Sequence, residues 1–140
     1  MGQTTFATDT PQWQGRLSVK VLRTPVQAFA ADFDLQGTPE AGELRFTTPL
    51  GSTLAQIQWD PSGARLQTTG APEQFDSLAA LTLRSIGVSL PVASLFAWLQ
   101  GHETATPGWE VDLQFLSQGR LSAKRLAGDA PAELKVILAP

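Results

Sequence analysis

Hydrophobic and polar residues alternate along most of the first half of the chain. Leu17, Val19 and Val21 share one side of segment 13–22, and charged or polar residues occupy the other side. The same period of two returns in four further segments, 29–35, 44–46, 55–59 and 64–68. A period of two places one apolar row on one side of a strand. Because short connections rich in Gly and Pro separate these segments, they predict an antiparallel meander with one apolar and one polar face.

The period changes after the Gly-Ala-Pro sequence at 70–72. Apolar residues then recur at steps of three and four, namely Phe75, Leu78, Ala79, Leu83 and Ile86. This spacing predicts an amphipathic helix that ends at Gly87. A second short helix is predicted after Pro91, ending at Gly101. Its apolar stripe consists of Val92, Leu95, Phe96 and Leu99.

Strand patterning resumes at Gly108. The next apolar row is predicted to contain Trp109, Val111, Leu113 and Phe115. Residues 117–119 form a turn, and segments 121–123 and 134–138 complete the sheet. About eight strands and two helices therefore predict a mainly β (α+β) fold, in which a curved antiparallel sheet carries the helices over its apolar face.

Length and composition indicate one globular domain. The 140 residues suit a single domain spanning 1–140, with residues 1–12 expected to be a flexible remnant. Hydrophobic residues make up 42% and charged residues 16%, which is typical of a folded protein and not of a disordered one. The net charge of −3 argues against a nucleic-acid partner.

Targeting features are sparse. The chain has no Cys, which leaves cytoplasm and periplasm both open as compartments. No apolar run is long enough for a transmembrane helix. The first ten residues lack the charged start and apolar centre of a signal peptide, so we expect any targeting signal to have been removed or never present.

Candidate catalytic chemistry is equally sparse. His102 is the only His and has no second His or Cys with which to share a metal. Asp32 and Asp34 share one strand face, where alternation already explains them as solvated residues. No nucleophile elbow or phosphate-binding glycine loop occurs. We therefore expect no enzyme activity, no catalytic residues, no metal and no cofactor.

One loop stands out between the third and fourth predicted strands. It has the sequence Thr-Pro-Leu-Gly-Ser at 48–52, in which Pro49 fixes φ and Gly51 permits a positive φ. Leu50 is an apolar side chain at the tip of this turn. We interpret Pro49, Leu50 and Gly51 as a loop that meets a lipid surface.

The aromatic residues allow two interpretations. They either fill an ordinary core, or they line a dry apolar cavity, suited to an acyl chain, that a single-layer sheet and two short helices leave incompletely filled. The candidate lining residues are Phe33, Phe46, Ile57, Trp59, Phe96, Trp109 and Phe115.

Several segments in fixed order resemble the LolB family of outer-membrane lipoprotein receptors over roughly residues 13–138. They are Gly-Arg-Leu-Ser-Val at 15–19, Phe-Ala-Ala-Asp-Phe-Asp-Leu at 29–35, Gly-Glu-Leu at 42–44, Thr-Pro-Leu-Gly-Ser-Thr at 48–53, Trp-Asp-Pro at 59–61, Phe-Asp-Ser-Leu at 75–78, Leu-Pro-Val at 90–92, Leu-Phe-Ala-Trp-Leu-Gln-Gly at 95–101, Gly-Trp at 108–109 and Gly-Arg-Leu at 119–121. No single piece is specific, whereas their order and spacing together are.

The resemblance implies an unclosed antiparallel β-barrel with a helical lid over an apolar cavity. It further implies that the chain accepts triacylated lipoproteins from the periplasmic carrier LolA and inserts them into the outer membrane, working as a monomer on its periplasmic face. The family carries an apolar residue on a protruding loop, and Leu50 falls on that position. Family members are anchored through a lipid-modified N-terminal Cys, which this sequence lacks, so we expect either a trimmed form or a soluble relative.

The alternative interpretation is a soluble periplasmic carrier or lipoprotein sensor on the same half-barrel, related to LolA. It would lack the exposed apolar loop residue. A third interpretation, a structural module with a filled core, would bind no lipid.

Overall fold

A computed structural model describes residues 12–23, 25–68, 70–86, 89–126 and 131–139. Its strands are β1 Gln12–Val21, β2 Gln27–Gly37, β3 Gly42–Thr47, β4 Thr53–Asp60, β5 Gly63–Gln67, β6 Glu73–Phe75, β7 Trp109–Asp112, β8 Arg120–Arg125 and β9 Ala132–Leu138. The helices are α1 Leu78–Ile86, α2 Val92–Leu99 and a short 3-10 helix at Leu116–Gln118.

The nine strands form one antiparallel sheet that does not close. Their order is β6-β5-β4-β3-β2-β1-β9-β8-β7, so β6 and β7 are its two edges. Strands β1 to β6 follow one another as a meander, and β9 returns to pair with the free side of β1. This arrangement confirms the predicted mainly β fold, an unclosed antiparallel barrel with two helices.

The alternating sequence pattern becomes a two-sided sheet. Burial alternates along β1, β2 and β3, with every second side chain in the core. On the apolar face lie the helices, which we call the lid: α1 contacts β5 and β6, and α2 buries Val92, Leu95, Phe96, Trp98 and Leu99. These five side chains share one side of α2, which therefore packs towards the core, while Ala93 on the other side is exposed.

The start of α1 differs from the prediction. The sequence predicts Phe75 in the helix, but Phe75 belongs to β6 and pairs with Ala64 of β5. The helix begins after Ser77, whose hydroxyl accepts a hydrogen bond of 3.1 Å from the Ala80 N–H and so caps the first turn. The short strand β6 raises the strand count above the predicted eight.

The strand that begins at Trp109 is shorter than predicted. It ends at Asp112, whose carboxylate accepts a 2.9 Å hydrogen bond from the Gln114 N–H and turns the chain towards the 3-10 helix. Leu113 and Phe115 therefore do not continue the strand, and the predicted row through Phe115 is wrong.

Two sequence predictions fall partly outside the described residues. These are the flexible start, of which only Gln12 is described, and the helix end at Gly87. No helix in the described ranges has both the length and the apolar character needed to cross a membrane.

Candidate functional site

Five of the predicted cavity residues meet in one apolar cluster on the lid side of the sheet. These are Phe33, Phe46, Ile57, Trp59 and Phe96, all buried. The strand register explains the grouping, because Phe33 of β2 is directly opposite Phe46 of β3, and directly opposite pairs on one face bring their side chains together.

The other two predicted lining residues differ from each other. Trp109 of β7 is partly buried and packs against the cluster. Phe115 is 44% exposed and borders a shallow groove of about 250 Å³ with Ile137 and Lys135, which project from the side of β9 away from the lid. The structure thus does not bring Phe115 to the apolar cluster, because the strand that would have directed it there ends at Asp112.

Phe96 of α2 packs over the apolar cluster, between β1 and β4. Its ring meets Trp13 of β1 and Trp59 of β4 edge-on, at centroid distances of 5.6 Å and 6.2 Å. Phe29 packs edge-on against Phe46 in the same way, at 4.9 Å. Sequence reasoning did not assign Trp13 and Phe29 to the site, although both lie in phase with the apolar rows of their strands.

Few polar contacts hold the lid in place. The Trp98 indole N–H donates to the Thr104 carbonyl at 3.1 Å, and Thr106 and Ser94 join their hydroxyls at 2.6 Å. At the start of α2 the N-cap is Pro91, which makes no side-chain capping bond. Side-chain packing is therefore the main attachment of α2 to the sheet.

Trp59 is fixed from its polar edge. Its indole N–H donates to the Thr38 carbonyl at 3.1 Å, and the ring passes over Gly42 on the neighbouring strand. A Cβ at Gly42 would lie 2.6 Å from the Trp59 Cζ2 atom, so only glycine leaves room for the ring. The Trp59 indole is thus held in a fixed position at one side of the cluster.

The β3–β4 loop presents Leu50 to solvent. The Leu50 side chain is 94% exposed. Around it, the Thr48 carbonyl accepts from the Gly51 N–H at 2.9 Å, and the Thr48 N–H donates to the Ser52 carbonyl at 2.9 Å. Gly51 adopts φ 91°, which glycine tolerates and other residues rarely adopt. The backbone is therefore well satisfied, while the leucine side chain has no core to enter.

The opposite face of the sheet carries a polar hollow of about 800 Å³. Near its centre, Glu43 accepts hydrogen bonds from Gln56 at 2.7 Å and Gln58 at 3.0 Å. Burial, the largest single effect, raises the pKa of Glu43, but these bonds together with Arg45 and Gln36 outweigh it and lower that pKa. Such a lining suits water and polar groups and does not suit an acyl chain.

Metal chemistry has no counterpart among these features. In the ranges that the structure describes, no three His, Asp or Glu side chains come together as a set of metal ligands.

Sequence comparisons point to one family. A family model described as outer membrane lipoprotein LolB matches residues 10–130. The outer-membrane lipoprotein LolB of Chromobacterium violaceum is 33% identical over 87 residues, which cover 62% of this chain and 47% of that protein. The namesake from Shewanella woodyi is 32% identical over 90 residues, covering 64% of this chain and 41% of the relative. The one from Neisseria meningitidis is 33% identical over 93 residues, covering 66% and 47%.

The alignments thus take in somewhat less than half the length of each relative. The family model, by contrast, extends from the start of β1 nearly to β9, and so includes the whole apolar face from β1 to β8, both lid helices and the Leu50 loop. On this match the chain belongs to the LolB family of outer membrane lipoproteins.

Proposed function

We propose that this chain receives the acyl chains of lipoproteins from a periplasmic carrier of the LolA type and passes them into the outer membrane at its periplasmic face. The acyl chains would lie between the apolar face of the sheet and the lid. The observation that carries the proposal is Leu50, an aliphatic side chain 94% exposed on a loop whose backbone is closely hydrogen-bonded. The alternative, a soluble carrier, is expected to lack such a residue.

The task needs an apolar binding surface and no catalytic group. Each CH₂ of an acyl chain taken out of water gains about 0.8 kcal/mol, so a lipoprotein with several chains cannot cross water unaccompanied at a useful rate. Transfer runs downhill when each acceptor binds the chains more tightly than the donor before it. The apolar cluster offers such an acceptor surface, built from the aromatic rings of Phe33, Phe46 and Trp59.

Entry of an acyl chain requires the lid to move. Phe96 fills the position between Trp13 and Trp59, so a chain that lies on the sheet displaces this ring. The attachment of α2 through side chains favours such a movement, because no strand hydrogen bonds are broken when the helix lifts. The acyl chain then makes the apolar contacts that Phe96 has lost. The free-energy cost of displacing Phe96 is therefore largely offset.

Leu50 orients the protein on the membrane for delivery. Full burial of one leucine contributes about 1.5–3 kcal/mol, too little for anchoring but enough to orient the protein on a bilayer. A charged residue at this tip would be excluded from the hydrocarbon region. The loop is thereby expected to act on delivery and not on acceptance.

The test is a reconstituted transfer assay with Leu50→Glu. We expect the variant to accept lipoprotein from the carrier as the parent does, and to lose incorporation of that lipoprotein into vesicles. Ile137→Glu is the matched control, because Ile137 is an exposed aliphatic residue on the other face and the substitution adds the same charge. Normal incorporation by Leu50→Glu would refute the role of the loop, and absence of acceptance by the parent would refute the proposal as a whole.

A further inference from the structure

Four hairpins turn at one end of the sheet, the β5–β6 hairpin at its edge and three beside it. These three connect β1 to β2, β3 to β4 and β8 to β9, and the strand order β4-β3-β2-β1-β9-β8 makes them neighbours. Adjacent strands are about 4.8 Å apart, which separates the centres of successive hairpins by about 10 Å and spreads the three over about 20 Å. We call this end of the sheet the hairpin rim.

Exposed aliphatic side chains are concentrated on the hairpin rim. Leu50 occupies the tip of the β3–β4 hairpin, Leu22 and Val26 lie in the β1–β2 connection, and Leu126 follows the end of β8. Leu22 is 40% exposed, Val26 56% and Leu126 60%. Of the eight large hydrophobic residues exposed in the described ranges, half are these four. The β2–β3 and β4–β5 turns at the other end of the sheet instead read Thr-Pro-Glu-Ala and Asp-Pro-Ser-Gly.

Backbone hydrogen bonds fix the rim residues. The Leu22 N–H donates to the Pro131 carbonyl at 2.8 Å, which ties the β1–β2 connection to the β8–β9 connection. The Leu126 N–H donates to the Gly108 carbonyl at 2.8 Å. Because these bonds hold the backbone, the exposed side chains of Leu22 and Leu126 are presented from a fixed frame.

Charge is distributed unequally between the two ends of the sheet. Lys20, Arg23, Lys124 and Arg125 all lie within two residues of the rim connections. The acidic residues at the same end of the sheet are Glu73, Glu110 and Glu133, of which Glu110 and Glu133 are opposite Lys124 in the strand register. At the other end, the residues in or beside the turns are mostly acidic, namely Glu40, Asp60, Asp76 and Asp112, with Arg120 as a basic residue among them. The chain carries a net charge of −3, so an anionic surface is best approached with the rim forwards.

The spacing of the apolar residues favours a bilayer over a protein as the partner. A protein docking site has a contiguous apolar centre enriched in aromatic residues. The rim has one or two aliphatic side chains on each of three loops, the loops being about 10 Å apart, with cationic residues beside them. That pattern matches shallow insertion at several points into a surface of anionic headgroups over hydrocarbon.

We propose that the whole hairpin rim is a membrane-contact face, on which Leu22, Val26 and Leu126 enter the bilayer surface beside Leu50. This inference rests on the proposed delivery function and extends it from one residue to three loops. The rim limits how the sheet can rock against the membrane, because contacts spread along about 20 Å restrain its orientation more than a single leucine does.

The absence of Cys makes a direct test practicable, since one introduced Cys takes one label. Single variants Leu22→Cys, Val26→Cys, Leu50→Cys and Leu126→Cys are labelled with a polarity-sensitive fluorophore and mixed with vesicles of phosphatidylcholine and phosphatidylglycerol. Ile137→Cys and Pro39→Cys are exposed controls away from the rim. We expect a blue shift of emission at the four rim positions and none at the controls, weakened at high salt.

A second measurement uses unlabelled protein. The triple variant Leu22→Ser, Val26→Ser, Leu126→Ser retains Leu50 and is expected to partition about tenfold less onto the same vesicles, with an unchanged melting temperature. Ile137→Ser serves as its control.

The outcomes separate the rim from the proposed function. A blue shift at Leu50→Cys alone, or an unchanged partition of the triple variant, overturns the rim while the role of Leu50 stands. A blue shift at rim positions on addition of the carrier protein without vesicles assigns the rim to a protein partner and also overturns the inference. If the parent protein does not accept lipoprotein, the proposed function is refuted. Vesicle binding by the rim is measured separately, so its result does not depend on that outcome.

Discussion

The ring of Phe96 stands edge-on to the indole of Trp59, with their planes inclined by 67°. Trp13 meets the same phenyl ring from β1, inclined by 70°. Aromatic pairs of this geometry contribute about 0.5–1.5 kcal/mol beyond the burial of their area. Phe96 therefore joins α2 to the sheet through two ring contacts, and in the proposed function an acyl chain would take its place.

Phe96→Ala is expected to destabilise the fold and to open the site. Removal of a buried phenyl ring costs about 3–5 kcal/mol, measured as a loss in the free energy of unfolding in urea. A long-chain fatty acid should restore part of that loss by filling the space, raising the urea midpoint of the variant more than that of the parent.

Phe115→Ala is the matched control, since the same side chain is removed from an exposed position outside the cluster. Its loss should stay within about 0.5 kcal/mol. Equal losses in the two variants would show that Phe96 is not packed as described.

Gly51→Ala tests the backbone of the Leu50 loop. Nothing lies within 4 Å of a Cβ at Gly51, so the cost comes only from its φ of 91° and should be about 1 kcal/mol. Gly70→Ala is the control, because its Cβ also enters open space. Thermal unfolding of both variants checks this, and a stabilised Gly51→Ala would contradict the loop conformation.

Thr82 connects α1 to the segment that leads into α2. Its hydroxyl donates to the Ala79 carbonyl at 3.2 Å and accepts from the buried Leu90 N–H at 3.0 Å. Thr82→Val keeps the shape and leaves that N–H without its partner, which should cost about 1–3 kcal/mol in the free energy of unfolding. Thr82→Ser retains the hydroxyl and loses one methyl, for about 1 kcal/mol. If Thr82→Val is as stable as the parent, this hydrogen bond does not stabilise the lid.

Glu43 should make stability depend on pH. Its folded pKa lies below its ordinary value of 4.5, so its contribution is complete above pH 4.5 and is lost as the pH falls through the folded pKa. Glu43→Gln should therefore lose less stability on acidification than the parent does, in urea titrations from neutral pH downwards. Glu40→Gln, at an exposed turn position, is the control. Identical acid profiles for the parent and Glu43→Gln would contradict the hydrogen-bond cluster around that carboxylate.

The alternating sequence pattern was sufficient to predict which face of each strand is apolar. Alternation placed Leu17, Phe33, Phe46 and Ile57 on one side, and all four are buried. This works because side chains of a strand point alternately to its two faces, whatever its neighbours are. The loop around Leu50 was equally readable, since Pro49 and Gly51 specify a turn through their own backbone preferences.

The sequence pattern predicted the ends of the strands less well. Phe75 has helical spacing to Leu78 and Ala79, yet it pairs with Ala64, and Phe115 is in phase with Trp109 although the strand between them stops at Asp112. Pairing across the sheet and the hydrogen bond from the Gln114 N–H to Asp112 decide these boundaries. Both depend on partners that periodicity alone does not identify.

The sequence by itself determined which residues are apolar on each strand and that an aliphatic side chain sits at the tip of a tight turn. Only the tertiary structure decided that Phe96 closes the space between Trp13 and Trp59, and that Leu22, Val26 and Leu126 share one end of the sheet with Leu50. The physical reason is that β9 returns to pair with β1, which makes hairpins far apart in the chain into neighbours.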